Sequence, residues 1–238
     1  MVENTHIEEY GIEVLHEDNH TIVVNKKASD IVQGDKTGDE PLPEKIKQYL
    51  KQKYNKPGNV FCGVVHRLDR PTSGALVFAK TTKAVSRLNT QFRDKETGKT
   101  YWAVVESMPE SNTGHLENFL RKNEKQNKSY VTQDDSKGAK NAILDYKWLL
   151  SSDKYHLLEI SLETGRHHQI RCQLANIGCI IKGDLKYGAK RSNKDGSIHL
   201  HARELEFTHP TTKERVHVIA PVPNEPLWKF FEDTLAKV

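Results

Sequence analysis

Val64-Val65-His66-Arg67-Leu68-Asp69-Arg70-Pro71-Thr72-Ser73-Gly74-Ala75-Leu76-Val77-Phe78-Ala79 is the stretch on which the reading of this chain turns. A short apolar segment ends in charged residues, a Pro-Thr-Ser-Gly turn follows, and Gly74–Ala79 is a nearly continuous apolar run of strand length. Such a run predicts a strand buried on both faces. Thr81 and Thr82 then predict the cap of a helix carrying Val85, Leu88 and Phe92 on one face. Asp69 stands at the entry to the strand between Arg67 and Arg70, held by scaffold on one side and reachable from the other. A carboxylate flanked by cations suits a nucleophile or a general base better than an acid. On its residues alone, Asp69 is equally well a turn residue whose side chain bonds its own backbone.

Toward the amino terminus, the apolar bursts Ile12–Leu15 and Thr21–Val24 flank the turn-forming Glu17-Asp18-Asn19-His20, which predicts a hairpin. Leu42, Ile46, Tyr49 and Leu50 recur at helical spacing, with Pro43 tolerated in a first turn and Pro57-Gly58 ending the pattern. Toward the carboxyl terminus, Tyr101–Val105, the alternating Ala142–Trp148 and the alternating His156–Leu162 predict long antiparallel strands with one buried face. Arg166–Ile177 switches to helical period and stops at Gly178. Strands around Ile198–Phe207 and Val216–Ile219 follow, then a terminal helix striped by Leu227, Phe231 and Leu235. This mixture predicts an α+β fold, and no linker divides residues 1–238.

At 238 residues the chain fits one large fold or one fold with two lobes. It carries 36 basic and 32 acidic residues for a net charge of +4, with a mean hydropathy of −0.71. Its 36% hydrophobic content excludes a disordered chain. No apolar run approaches the ~18 residues that cross a bilayer, and the first residues are acidic where a signal peptide is basic and then apolar. Neither membrane spanning nor secretion is expected. The three cysteines, Cys62, Cys172 and Cys179, fit no disulfide framework and suit a reducing cytoplasm. Basic residues gather at Arg121–Lys128 and again at Lys182–Lys194, in segments read as loops. Paired clusters of this kind can form the electrostatic footprint of a phosphate backbone.

His66-Arg67-Leu68-Asp69 followed by Thr72-Ser73-Gly74 and the strand ending Ala79-Lys80-Thr81 resembles the catalytic motif of the RluA family of pseudouridine synthases. The likeness continues in the family's order over roughly residues 12–220. Leu15–Asp18 with Val23–Lys26 resembles its opening hairpin, and Lys99–Val105 its Lys-x-Tyr-x-Ala strand. Thr164-Gly165-Arg166-His167-His168-Gln169-Ile170-Arg171 resembles its Gly-Arg-x-His-Gln-Ile-Arg motif. Gly183-Asp184, Tyr187-Gly188, Leu200-His201-Ala202 and His209-Pro210 resemble its closing segments.

The resemblance implies one catalytic domain over 1–238, with a mixed, mainly antiparallel sheet in two sublobes and a central cleft. It implies a cytoplasmic enzyme that isomerises specific uridines of tRNA or rRNA. No cofactor, metal, DNA or membrane partner is expected. Asp69 matches the family's catalytic aspartate, Tyr101 the tyrosine lying against the target base, and Arg171 the arginine paired with the aspartate. Asp69 would promote cleavage either as nucleophile or as base toward the 2′ proton. Arg67 matches the residue that fills the gap left by an extruded base. Arg166, His168 and Gln169 would open the helix bearing Arg171 and bind phosphate or neighbouring bases, or else only brace that helix.

Departures are visible too. The family's Asn-Lys-Pro-Ala-Gly reads Asn25-Lys26-Lys27-Ala28-Ser29 here, losing a rigid proline and a permissive glycine. Cys172-Gln173 and Gly178-Cys179-Ile180-Ile181 replace a usual Val-His and Gly-His-Pro-Ile. Only about a dozen residues precede the first predicted strand, so the expected form is the one without the small amino-terminal S4-type RNA-binding domain. Two other patterns fail. Gly98-Lys99-Thr100 lacks the glycine a phosphate-binding loop needs five residues earlier, where Arg93 stands, and His168 with Cys172 forms no familiar metal spacing. A non-catalytic RNA-binding protein and an N-glycosidic hydrolase are the alternatives from other classes.

Overall fold

The computed structural model describes residues 6–7, 10–34, 38–133 and 138–237. Its elements run β1 (His6–Ile7), β2 (Ile12–Glu17), β3 (Thr21–Lys26), α1 (Leu42–Lys53), β4 (Gly63–Val64), β5 (Ser73–Ala79), α2 (Thr82–Arg93) and β6 (Gly98–Val105). They continue with β7 (Thr113–Asn123), β8 (Lys128–Thr132), β9 (Lys140–Ser151), β10 (His156–Leu162), α3 (Gln169–Asn176), β11 (Leu200–Thr208), β12 (Arg215–Ile219) and α4 (Pro226–Leu235). A short 3-10 turn, Leu185–Tyr187, precedes β11. The chain divides into two compact units, Met1–Gly98 with Ala202–Pro221 and Lys99–His201 with Val222–Val238. None of the described helices is long and apolar enough to cross a membrane.

In the first unit the strand order is β1-β2-β3-β5-β11, with β4 paired to β5 and β12 to β11. The β2–β3 hairpin forms where Asp18 was expected to turn the chain. Its carboxylate accepts from the backbone N–H of His20 (2.6 Å) and Thr21 (2.8 Å) and from the Thr21 hydroxyl (2.6 Å). Burial alone would raise the pKa of Asp18, yet these bonds hold it well below the usual carboxylate range. Every residue of β5 is buried, because β3 and β11 flank it and α2 covers the face of Ala75, Val77 and Ala79. Thr81 caps α2 through Ala84 N–H (3.2 Å), and the helix lays Ala84 and Leu88 on a core of Val23, Ala75, Val77, Phe207 and Val218. In α1 the same logic buries Leu42, Ile46, Tyr49 and Leu50.

Gly74 is required by geometry. Its φ is +118°, and a Cβ built there would lie 2.3 Å from the carbonyl oxygen of Ala202 on the neighbouring strand. Backbone strain and forced separation of two core strands add up, so Gly74→Ala is expected to cost about 3 kcal/mol in urea unfolding. A loss below about 1 kcal/mol would show that the strands yield there.

In the second unit the order is β6-β10-β9-β7-β8. Tyr101 stands opposite Ile160, Leu158 opposite Trp148 and Leu116 opposite Leu144, all in antiparallel register. One face packs Trp102, Val104 and Leu157 against Trp228 and Phe231 of α4. Trp102 and Trp228 are thus packing residues. Glu225 caps α4, accepting from Leu227 and Trp228 N–H.

Two expectations need correction. The basic stretch Arg121–Lys128 is the tip of a β-hairpin, with Phe119 opposite Thr132 and Asn123 opposite Lys128. Its strands are hidden in the sequence because few of their side chains are fully buried, with Leu120 and Ser129 as the buried markers. Helix α3 also starts later than its periodicity suggested. His168 takes a left-handed conformation (φ 52°), so Arg166–His168 form a turn and the helix begins at Gln169.

Candidate active site

The Asp69 loop is pinned from several directions. Thr72 N–H bonds back to the Asp69 carbonyl (3.0 Å), closing a turn around Pro71. His66 accepts the Val77 N–H of β5 on Nε2 (3.1 Å), which places its proton on Nδ1 in the neutral ring, and stacks on Phe92 at 4.4 Å between centroids. Leu68 is buried. Ser29 N–H bonds the Arg70 carbonyl (3.0 Å). Ser29 stands where the resembled pattern has glycine, yet it adopts φ 80°. The loop keeps a glycine-like turn without glycine, at a cost of about 1 kcal/mol.

Lys26 completes this support. It is only 1% exposed, and its Nζ donates to three carbonyls, Lys27 (3.0 Å), Arg70 (3.1 Å) and Thr72 (2.8 Å). Burial lowers its pKa to about 8, against the opposing attraction of Asp30 and Asp69. Asp69 itself is half-buried. Arg67 is exposed, with Nη1 on Gln33 (2.7 Å), and Arg70 pairs with Asp39.

In the second unit, Tyr101 lies near the middle of β6, on the face opposite Trp102 and Val104. Arg171 on α3 is 5% exposed and grips Asp184 bidentately, Nε to Oδ2 at 2.7 Å and Nη2 to Oδ1 at 2.8 Å. The Tyr187 ring lies 5.2 Å from the guanidinium carbon. Asp184 is 1% exposed and also anchors the 3-10 turn, its carbonyl accepting from Tyr187 N–H (3.0 Å).

The structure gathers Arg166, His168, Gln169 and Arg171 at one end of α3. Two of them are occupied with holding that end. Gln169 accepts from Thr164 Oγ1 (2.8 Å) and Arg166 N–H (2.9 Å) and donates to the Ile143 carbonyl (3.0 Å). His168 bonds the Tyr187 hydroxyl through Nδ1 (3.1 Å) and stacks on His167 at 3.8 Å. Burial, helped by the charges of Arg171, His167, Lys186 and Lys122, lowers the His168 pKa to about 2. At neutral pH it is uncharged and offers no cation to a phosphate. Arg166 is exposed and bonds the Asn141 carbonyl through Nε (2.7 Å).

The two basic stretches meet in space. Lys186 of the 3-10 turn donates to the carbonyls of Gln126 (3.3 Å) and Asn127 (3.0 Å) at the hairpin tip. Lys128 lies 4.8 Å over the Tyr187 ring and 5.2 Å over that of exposed Tyr130, and His167 reaches Asn127 (3.1 Å). Lysines and aromatic faces so combined make a surface fit for nucleic acid.

The thiols offer little chemistry, since burial raises Cys62 to about 12 and Cys172 and Cys179 to about 11. Glu204, Glu206 and His217 bring three ligand atoms within 4.8 Å of one another on the β11–β12 pair. These groups are already engaged, His217 with Glu204 (2.8 Å) and Glu206 with Arg215 (3.3 Å). Lys26 and His66 in the first unit and Asp184 in the second act through contacts that their motifs alone do not reveal.

The sequence profile described as RNA pseudouridylate synthase matches residues 20–176. Ribosomal large subunit pseudouridine synthase D of Zymomonas mobilis is 32% identical over 224 residues, covering 90% of this chain and 70% of that protein. The tRNA pseudouridine synthase C of Vibrio vulnificus is 32% identical over 230 residues, covering 89% of this chain and 91% of that protein. The solved structure of human RNA pseudouridylate synthase domain containing 4 matches with TM-score 0.76 and 24% identity over 94% of this chain and 92% of its own, a likeness of fold. Since the profile spans the Asp69 loop, Tyr101 and Arg171 alike, and relatives match almost the whole chain, the protein belongs to the RNA pseudouridylate synthase family, of the RluA type, and is an isomerase.

Proposed function

We propose that this chain converts uridine to pseudouridine at specific positions of a structured RNA, a tRNA or a ribosomal RNA, with Asp69 as the catalytic carboxylate. The observation that carries the assignment is the half-buried Asp69 on a loop fixed by Lys26, His66 and Ser29. A reacting group must be aimed as well as present. In the reaction the bond from sugar carbon 1′ to base nitrogen 1 breaks, uracil turns, and carbon 1′ rejoins base carbon 5. Carbon 5 then loses its proton and nitrogen 1, freed of the sugar, gains one, so no electrons are gained or lost. Tyr101 supplies a ring face to the base and Arg171 a guanidinium, while Arg67 takes the place of the extruded nucleotide. Gln169 and His168 act indirectly, by fixing the turn that leads into the helix of Arg171. The cytoplasmic assignment rests on the free thiols and on the RNA substrate.

The test is tritium release from transcripts labelled at uracil carbon 5, comparing tRNA with ribosomal RNA fragments. Release without free uracil supports isomerisation; release of free uracil would make the chain a glycosidic hydrolase. The relatives named above act, by their names, on each of the two RNA classes, and the assay chooses between them here.

The hairpin tip and the 3-10 turn are assigned to RNA phosphates. Removing three cations together (Lys125→Gln, Lys128→Gln, Lys186→Gln) is expected to weaken RNA binding about tenfold or more at low salt. It should also flatten the slope of log K against log salt by about 2 to 3. An unchanged slope would remove this surface from RNA binding.

A further inference from the structure

We propose that Lys190–Lys194 is a rigid cationic arm for RNA phosphates, and that Asn193 is the residue that fixes its shape. The proposal rests on the RNA-modifying reading above and adds to it a contact separate from the hairpin tip and the 3-10 turn. The arm belongs to a loop whose ends meet, since His199 N–H bonds the Lys182 carbonyl (2.9 Å). Lys190, Arg191 and Lys194 are all exposed on it. Among the described residues, none of these three side chains has an ion-pair or hydrogen-bond partner. The lysines nearer the root differ, since Lys182 donates to Asn193 (2.7 Å) and Lys186 to the hairpin tip. The neighbouring acid, Asp195, is turned to its own backbone, accepting from Ser197 N–H (3.0 Å) and the Ser197 hydroxyl (2.7 Å). Three like charges held close together without a counter-charge repel one another, and a polyanion relieves that repulsion.

Asn193 ties the arm down from within. Its Oδ1 accepts from Lys182, and its Nδ2 donates to the Ser197 carbonyl (2.9 Å) and to Nδ1 of His199 (2.9 Å). An ammonium only donates and a carbonyl only accepts, so these two partners fix which way round the amide stands. Nδ1 of His199 is then an acceptor, and its Nε2 carries the proton that goes to Glu225 (3.1 Å). Glu225 in turn caps α4, so the arm is rooted through one buried imidazole in the first turn of the terminal helix. Gly183 leaves room for the amide: its φ is +87°, and a Cβ there would lie 2.8 Å from Asn193 Nδ2. A loop ordered in this way before RNA arrives loses little conformational freedom on binding.

The experiment compares wild type with a triple variant (Lys190→Gln, Arg191→Gln, Lys194→Gln) and with Asn193→Ala. Filter binding uses the tRNA and ribosomal RNA transcripts above and an unrelated RNA of equal length, each over a salt series. The triple variant is expected to bind every RNA about tenfold more weakly at low salt, with no change in melting temperature. Its slope of log K against log salt should flatten by about 2 to 3. Asn193→Ala keeps all three charges, so its slope should stay within about 1 of wild type while affinity falls about threefold or more. Trypsin, which cuts after Lys190, Arg191 and Lys194, reads the order of the arm directly. Cleavage there should be at least tenfold faster in Asn193→Ala, and bound RNA should slow it in wild type. If Asn193→Ala does not fold, Asn193→Asp replaces it, keeping the acceptor for Lys182 and losing both donors. An unchanged salt slope in the triple variant, a loss confined to one RNA sequence, or wild-type cleavage indifferent to RNA would each overturn the arm as a phosphate contact. Cleavage of the Asn193 variant at the wild-type rate would overturn the part given to Asn193. Absence of tritium release by wild type would instead overturn the isomerase reading, and the binding and cleavage results would still decide on the arm.

Discussion

Asp69→Asn is expected to abolish isomerisation while leaving RNA binding within about threefold of wild type. Asparagine has nearly the same shape, and the turn at this position is held by backbone and neighbouring groups, namely Thr72 N–H, Lys26, Ser29 and the His66 bond to Val77. The fold therefore has no reason to respond. The chemistry does, because an amide neither attacks carbon 1′ nor accepts a proton from carbon 2′. General-base participation alone accounts for about 10²–10⁴ in rate. A carboxylate on which the whole reaction depends accounts for more, and losses of about 10⁶ are known when a nucleophile is removed. The measurement is single-turnover tritium release beside filter binding of the same RNA. Turnover within tenfold of wild type would remove Asp69 from the mechanism.

The second large effect concerns Arg171 and Asp184. Both are almost completely buried and share two hydrogen bonds, so removing either partner strands a charge in the interior. Asp184→Ala is expected to destabilise the chain by about 3–5 kcal/mol. For a chain of this length that is a fall of about 10 °C in melting temperature. Arg171→Lys keeps the charge but not the planar fork, so part of this loss should recur. It is also expected to lower turnover more than RNA affinity, because Arg171 is assigned to the reacting groups and not to phosphate. Asp184→Ala within 1 kcal/mol of wild type would show that the pair is replaceable. Equal loss of turnover and affinity in Arg171→Lys would make its part purely one of binding.

Much of this architecture was legible in the chain because its signals are local. The β2–β3 hairpin is written in Asp18 and its neighbours, the fully buried β5 in an unbroken apolar run, and the cap of α2 in Thr81. The family was legible from several short motifs in a fixed order, where Asp69 alone was ambiguous. What escaped has partners far off in sequence. Lys26 meets carbonyls 44 and 46 residues away, and Asp184 lies 13 residues from Arg171. For Gln169 the sequence left binding and bracing equally open, and its bonds to Thr164, Arg166 and Ile143 are those of a brace. The hairpin at Arg121–Lys128 was missed for another reason, since a strand that exposes most of its side chains has weak periodicity.

The order in which the chain is made gives Ala202–Pro221 a further meaning. This segment completes the first unit, yet it is separated from the rest of that unit by more than a hundred residues of the second. During synthesis β5 has β3 beside it from early on, while β11 is among the last strands to be made. Until then the nascent chain carries a largely apolar strand whose second edge is covered by β4 only at Phe78 and Ala79, the kind of surface on which neighbouring polypeptides nucleate aggregates. Slow translation or a premature stop after residue 200 would be more harmful here than a comparable error near the start, and chaperone dependence should concentrate in that interval.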